Sequence, residues 1–217
     1  MKKIIPVDPV NPDPMVLSHL SEVIRKGGIV AFPTDTFYGL AVNPFDQDAV
    51  ARLFKIKGRD RSKPVLLLIA SADMLRPLVE EIPPLAEKAI KRFWPGPLTL
   101  VFKGTEHLPD LLMGGTGKIG IRLPDAKVAI RLIKKVGLPL TATSANRSGA
   151  SSPMSASDVE AALGSDIDHI LDDGETRSPI PSTVLDVTKP HLEILREGRI
   201  PIKMLRECIS VGGKEDG

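Results

Sequence analysis

Cysteine is almost missing from this chain: Cys208 is the only one in 217 residues. A single cysteine excludes an intramolecular disulfide and any zinc cage built from thiolates. Aromatic residues make up 4% of the sequence, with one tryptophan and one tyrosine, which argues against a platform that stacks single-stranded bases. Net charge is also nearly nil, with 29 basic residues against 27 acidic ones. Bulk attraction to nucleic acid is therefore not expected, and any cationic function must come from a local patch. No apolar run approaches the ~20 residues of a membrane-spanning helix. The start, Met1-Lys2-Lys3-Ile4-Ile5-Pro6, turns polar too soon for a signal peptide. A soluble, cytoplasmic protein with no membrane association is the expectation. The four histidines, His19, His107, His169 and His191, show no metal-ligand spacing with one another or with Cys208. A zinc enzyme or a histidine-based triad is not expected, and no metal ligand is assigned.

What the chain does have is a substantial apolar content, 42%, enough for the core of one domain. A single domain over residues 1–210 is expected, followed by a disordered tail, 211–217. Asp13-Pro14 reads as a helix N-cap and first turn. Val16, Leu17, Leu20, Val23 and Ile24 keep helical spacing after it, and Gly27 supplies the stop. Strands are predicted at 28–32, 38–42, 65–69, 98–102, 118–123, 138–142, 169–171, 183–187 and 192–195. Helices are predicted from Asp46 through Phe54, from Ser71 through Val79, from Pro83-Pro84, over 128–136, after a Ser157–Glu160 capping box, and over 202–208. Helices and strands interleave without strict alternation, which points to an α+β fold (α/β three-layer) on a mixed sheet.

The densest chemistry lies in residues 55–63, Lys-Ile-Lys-Gly-Arg-Asp-Arg-Ser-Lys, with five cations and one acid. A cationic loop between two core elements can hold a polyanion, although a solvated charge run is the simpler reading of such a stretch taken alone. Residues 115–120 match G-x-G-x-x-G but precede a strand, so they read as a flexible glycine loop and not a dinucleotide site. Pro33-Thr34-Asp35-Thr36-Phe37-Tyr38-Gly39-Leu40 and Thr143-Ser144-Ala145-Asn146-Arg147-Ser148-Gly149 each follow a buried strand and offer hydroxyls, an amide and charge. Alone, each is a polar turn. Arg122 alternates in phase with Gly120, which puts it on one face of a sheet, suited to bidentate binding of a carboxylate or phosphate.

In order along the chain, these segments resemble the YrdC/Sua5 family. The resemblance runs through Pro33-Thr34-x-Thr36-x-Tyr38-Gly39-Leu40, Lys57-Gly58-Arg59, Trp94-Pro95-Gly96-Pro97-x-Thr99 and Gly120-Ile121-Arg122-x-Pro124. It continues through Ser144-Ala145-Asn146-Arg147-Ser148-Gly149, Ser182-Thr183-Val184 and Arg196-x-Gly198. It covers roughly residues 15 to 205, and the length is similar to that of the family's short, single-domain form. It implies the family's YrdC/RibB-like twisted mixed β-sheet flanked by helices, with a cationic concave groove. It also implies threonylcarbamoyl-AMP synthesis, in which L-threonine, bicarbonate or CO2 and ATP give threonylcarbamoyl-adenylate and pyrophosphate. The adenylate would feed a separate tRNA threonylcarbamoyl-transferase complex that modifies the adenosine next to the anticodon of ANN-decoding tRNAs.

By the same resemblance, Lys57 and Arg59 are expected as the catalytic pair. ATP would be held by Lys57, Arg59, Lys63, Thr143, Ser144, Asn146 and Arg196. Threonine would be held by Thr36, Arg122 and Ser182, with Arg122 pairing the carboxylate. Mg2+ would ride on ATP, held mainly by phosphates and water, since the sequence shows no carboxylate cluster for it. Some family members carry a histidine in the strand after the cationic loop. Here that strand reads Val65-Leu66-Leu67-Leu68-Ile69, so no role for that histidine carries over. The competing readings are an RNA-binding module using the same groove, with weak tRNA binding, a carbamoyl-adenylate enzyme of hydrogenase maturation, and a non-catalytic interaction protein.

Overall fold

The computed structural model describes residues 3–176 and 178–210; the expected tail at 211–217 lies outside the described residues. Its strands are β1 (Ile4–Pro6), β2 (Val30–Phe32), β3 (Gly39–Ala41), β4 (Leu67–Leu68), β5 (Leu98–Lys103), β6 (Lys118–Arg122), β7 (Leu140–Thr141), β8 (Thr143–Ser144), β9 (His169–Asp172), β10 (Thr183–Asp186) and β11 (Glu193–Arg196). Its helices are α1 (Pro14–Arg25), α2 (Gln47–Lys57), α3 (Pro84–Phe93), α4 (Asp110–Met113), α5 (Lys127–Val136), α6 (Ala156–Leu163) and α7 (Ile202–Ser210). The expected α+β layering is present.

The helix ends are set by local chemistry. Asp13 accepts the Met15 N–H at 2.8 Å to start α1, and Gly27 takes φ +82° just beyond its end. Asp46 accepts from the Asp48 and Ala49 amides to start α2. That helix runs three residues further than Phe54 and closes on Gly58 at φ +57°. The first three residues of the cationic stretch are therefore the last turn of a helix, where cations oppose the negative end of the dipole. The predicted helix from Ser71 is instead two short 3-10 turns, Ala72–Met74 and Arg76–Leu78. Pro77 lies inside it, and its ring and missing N–H prevent a continuous α-helix. The capping box of α6 is made by Ser155 and Asp158, two residues earlier than the predicted Ser157–Glu160 pair. Both spacings fit the motif, and the helix starts at the earlier one.

The strands form two mixed sheets. One has the order β1-β9-β2-β3-β8 and the other β11-β10-β5-β6-β4-β7. Residues 140–144 join them: β7 pairs antiparallel with β4 in the second sheet, and β8 pairs antiparallel with β3 in the first. The segment after β2 is thereby carried against the face of the second sheet. One core fills the space around α2, β4, β5 and β6, with Leu53, Leu67, Leu100 and Ile121 buried. A second core lies under α1 and α5, where Leu20, Ile24, Leu132 and Ile133 are buried, each contributing about 1.5–3 kcal/mol of transfer energy. Arg25 fastens these two helices by donating to the Lys135 and Val136 carbonyls at the α5 C-terminus, both at 2.9 Å.

Candidate functional site

A cavity of about 630 Å³ opens on the face of the second sheet, within the size range of small-molecule sites. Strand alternation builds its floor. Lys118, Gly120 and Arg122 of β6 face the cavity, while Ile119 and Ile121 point into the core. Thr99 and Val101 of β5, and Ser182, Val184 and Asp186 of or beside β10, continue the same face. Lys118 and Arg122 are four residues apart, so the floor is about 13 Å long at ~3.3 Å per residue. Thr34, residues 36–39 and residues 142–144 form another wall, and Arg59 and Arg196 also line the cavity.

Arg122 dominates one end. It is 4% exposed, yet its guanidinium reaches the cavity. Nε donates to the Gly96 carbonyl at 2.9 Å, Nη1 to Thr36 Oγ1 at 3.2 Å, and Nη2 to Asp35 Oδ1. A guanidinium has five N–H donors. Among the described residues, two remain without a protein acceptor, one on each terminal nitrogen. That is the number a bidentate carboxylate accepts. Burial lowers the Arg122 pKa, opposed by the charge and hydrogen bond of Asp35. Asp35 is 4% exposed, and its Oδ2 has no hydrogen-bond partner among the described residues. Ser182 lies beside this end. Its Oγ is 2.9 Å from Thr99 Oγ1 and receives Arg196 Nη2 at 3.1 Å, while Arg196 also donates to the Ser182 carbonyl at 2.9 Å. Burial, then the nearby Arg122 charge, lowers the Arg196 pKa. One guanidinium, Arg196, thus reaches the serine hydroxyl, and the Arg122 charge is near enough to act on it; two neighbouring cations favour an anion between them.

The cationic stretch divides. Arg59 lines the cavity and is fixed by donating to the Lys63 carbonyl at 3.2 Å and the Pro64 carbonyl at 2.8 Å. Lys57 does not line it; only 2% of Lys57 is exposed. Its ammonium donates to the carbonyls of Ser144 and Asn146, the latter at 2.6 Å, and to Asn146 Oδ1 at 3.3 Å. Burial pushes this ammonium down to about 7, and the Arg59 charge adds to the effect. Lys57 therefore ties the end of α2 to the loop after β8. Ser144 Oγ, at the end of β8, donates to Asn146 Oδ1 at 2.6 Å. Thr143 and Ser144 line the cavity; Asn146 is buried behind them. Lys63 is exposed and outside the wall, as is Arg61. Arg147 also turns away, pairing with Asp166 at 2.8 Å.

The structure thus brings Thr36, Arg59, Arg122, Thr143, Ser144, Ser182 and Arg196 around one cavity. It places Lys57 and Asn146 directly behind the wall and Lys63 outside it. Two features carry no assignment in the sequence reading. Asp35 sits in a quoted motif, but only the fold puts it on Arg122. At the other end of the floor, Lys118 pairs with Asp186 at 2.7 Å. Burial raises the Asp186 carboxyl, but hydrogen bonds from Lys118 and Thr188 outweigh this and hold it below the usual range. Lys118 shares the phase of Gly120 and Arg122, so the alternation in β6 already marked it as facing the same side.

A buried arginine with spare donors, cations on three separate segments and a hydroxyl-rich wall make a candidate site whose chemistry suits anionic groups, on an α+β frame of two mixed sheets. The chain belongs to the Sua5/YciO/YrdC family, described as "Telomere recombination", whose model matches residues 22–198. It is 44% identical over 186 residues to a threonylcarbamoyl-AMP synthase of Pyrococcus abyssi, covering 86% of this chain and 55% of that protein. It is 35% identical over 193 residues to a putative threonylcarbamoyl-AMP synthase of Methanocaldococcus jannaschii, covering 89% of this chain and 90% of that one. The crystal structure of P. abyssi Sua5 complexed with L-threonine superposes with a TM-score of 0.92 at 40% identity, over 96% of this chain and 61% of that one. The chain thus spans little more than half the length of the Pyrococcus relative. No helix among the described residues is long and apolar enough to cross a membrane.

Proposed function

We propose that this chain is a nucleotidyltransferase that makes threonylcarbamoyl-AMP and pyrophosphate from L-threonine, bicarbonate or CO2, and ATP, with residues 1–210 acting as one domain. The observation that carries this reading is the end of the cavity at Arg122. Its two spare N–H donors, beside the hydroxyls of Thr36 and Ser182, suit an amino-acid carboxylate. The relatives named as threonylcarbamoyl-AMP synthases support the same substrate set.

The reaction needs positioning more than a nucleophilic side chain. The free amine of threonine attacks CO2, forming an N–C bond and releasing a proton, to give a carbamate. A carbamate oxygen then attacks the α-phosphorus of ATP, and the bond to the bridging oxygen of pyrophosphate breaks. Two anions must meet, and a charged leaving group must depart. Fixed cations lower both barriers. Arg122 would hold the carboxylate, with Thr36 and Ser182 contributing hydroxyls. Arg59 and Arg196 would face the triphosphate, and Thr143 and Ser144 the nucleotide. Lys57, buried on the Ser144 and Asn146 carbonyls, would fix that loop for phosphate binding. Lys63 would join only if its exposed chain swings inward. Mg2+ would be carried by the phosphates and water. The product would pass to a tRNA threonylcarbamoyl-transferase complex, with weak direct tRNA binding at most.

The test is pyrophosphate release with each substrate omitted in turn. Release should need threonine, bicarbonate and ATP together. Release without threonine would overturn the proposed reaction. Salt-sensitive tRNA binding at micromolar protein with no pyrophosphate release would favour the RNA-binding reading.

A further inference from the structure

His19 and His169 are 150 residues apart in sequence, and the fold brings their Nε2 atoms to 3.3 Å. The ring centroids are 5.0 Å apart, with the planes at 70°. His19 lies in the middle of α1, and His169 opens β9, which is paired on both sides by β1 and β2. Both side chains are half-buried, reachable from solvent but carried on rigid elements.

The distances match a metal chelate better than a straight hydrogen bond. In a tetrahedral site with Zn–N near 2.0–2.1 Å, two ligand nitrogens stand about 3.3–3.4 Å apart. With each ring centre ~1.15 Å behind its nitrogen, lone pairs aimed at one ion put the centroids about 5.2 Å apart. A collinear N–H···N bond of the same length would put them about 5.6 Å apart. The observed separation is close to the first value and shorter than the collinear one, so the rings are bent toward one side of the line joining the two nitrogens. Imidazole nitrogen suits Zn2+, Ni2+ and Cu2+.

We propose that His19 and His169 form a two-histidine site for a divalent transition-metal ion, with water completing the coordination. Each ring binds through Nε2 and carries its proton on Nδ1, so the ring that now donates from Nε2 changes tautomer on binding. The neighbouring charges are already committed: Glu22 pairs with Arg25 one turn along α1, and Asp168, next to His169, pairs with Arg52. The ion would pin α1 to β9, whose far end, Asp172, receives a hydrogen bond from the Tyr38 hydroxyl at 3.2 Å. The site is separate from the cavity and independent of the proposed reaction.

Calorimetric titration of the chelator-treated full chain with NiCl2 or ZnCl2 tests this at pH ~7.5 and again at pH ~5.5, where imidazole is protonated. Saturable uptake is expected at the higher pH and its loss at the lower. His19→Gln and His169→Gln should each weaken uptake roughly tenfold or more, while His107→Gln/His191→Gln, which removes two exposed histidines, should not. The metal should also raise the melting temperature of the unsubstituted chain but not that of His19→Gln. Absence of saturable uptake, or uptake unchanged in both glutamine variants, would overturn the proposal and leave a histidine–histidine hydrogen bond. Should either variant fail to fold, the thermal shift of the unsubstituted chain and its loss at low pH still decide.

Discussion

The buried Arg122–Asp35 pair makes a strong quantitative prediction. Both residues are 4% exposed, so each charge is largely removed from bulk water and leans on the other. Arg122→Met removes the cation and strands the carboxylate, and Asp35→Asn strands the guanidinium. Breaking a buried pair from one side costs about 3–5 kcal/mol, against a total stability of order 5–15 kcal/mol. The double variant strands no charge. It loses mainly the hydrogen bonds from Arg122 to Gly96 and Thr36, worth about 1 kcal/mol each. The two single changes should therefore sum to about 6–10 kcal/mol, whereas the double variant should cost about 1–3 kcal/mol. Urea unfolding of the four proteins measures the coupling directly. A coupling energy within about 0.5 kcal/mol of zero would refute the pair as drawn. Turnover then separates structure from function: Asp35→Asn keeps the guanidinium and should retain threonine-dependent pyrophosphate release. The double variant, though nearly as stable as the parent, should lose it. Threonine-dependent release surviving in the double variant would remove Arg122 from the carboxylate.

Gly198→Ala places a Cβ 2.3 Å from the Pro181 carbonyl oxygen and 2.6 Å from that of Ser182. Backbone must move, so both stability and turnover should fall, with Ser182 and Arg196 displaced; an alanine variant of parental stability and activity would show that this approach is looser. Lys57→Met should change how stability depends on pH. The folded ammonium titrates at about 7 and the unfolded one near its ordinary value of about 10.5. Between these the unfolded chain binds the extra proton, so the parent gains stability relative to the variant as pH rises from 7 towards 9, by at most about 1.4 kcal/mol per pH unit. A pH-independent difference would show that the three carbonyl acceptors keep Lys57 charged. Arg59→Ala should weaken ATP binding by about tenfold or more, and Lys63→Ala by less, since Arg59 lines the cavity and Lys63 is exposed outside it. Equal losses in nucleotide titrations would put Lys63 back in the site.

Much of this was legible where physics is local. Asp13, Pro14 and Gly27 bound α1 because caps and stops act within one turn. The alternation Lys118-x-Gly120-x-Arg122 set one face of β6, and that face is the cavity floor. Local rules failed where two of them competed. Ser71 fits the start of a helix, but with Pro77 in the next turn the segment forms two short 3-10 turns instead; Ser155 and Ser157 both offer a capping box, and only one is used. What stayed hidden depends on long-range contact. No spacing rule connects His19 with His169, or Asp35 with Arg122. Lys57 is the instructive case: its charge and place in a basic run suggest an exposed ligand-binding cation. Three more helical residues in α2 rotate it inward, onto carbonyls contributed from residues 144 and 146.

The two cations once grouped by sequence therefore do different work. Arg59 stands just past a left-handed glycine, Gly58, which turns the chain out of α2, and its guanidinium keeps a face on the cavity. Lys57 uses its three N–H donors on protein carbonyls, which leaves none for a phosphate. Binding a triphosphate directly through Lys57 would mean surrendering those bonds and unfastening the loop that carries Ser144 and Asn146. Holding the loop while Arg59, Arg122 and Arg196 meet the anions needs no such exchange. The basic run thus supplies one cation on the cavity wall and one internal brace, and the boundary between them is the helix terminus at Gly58.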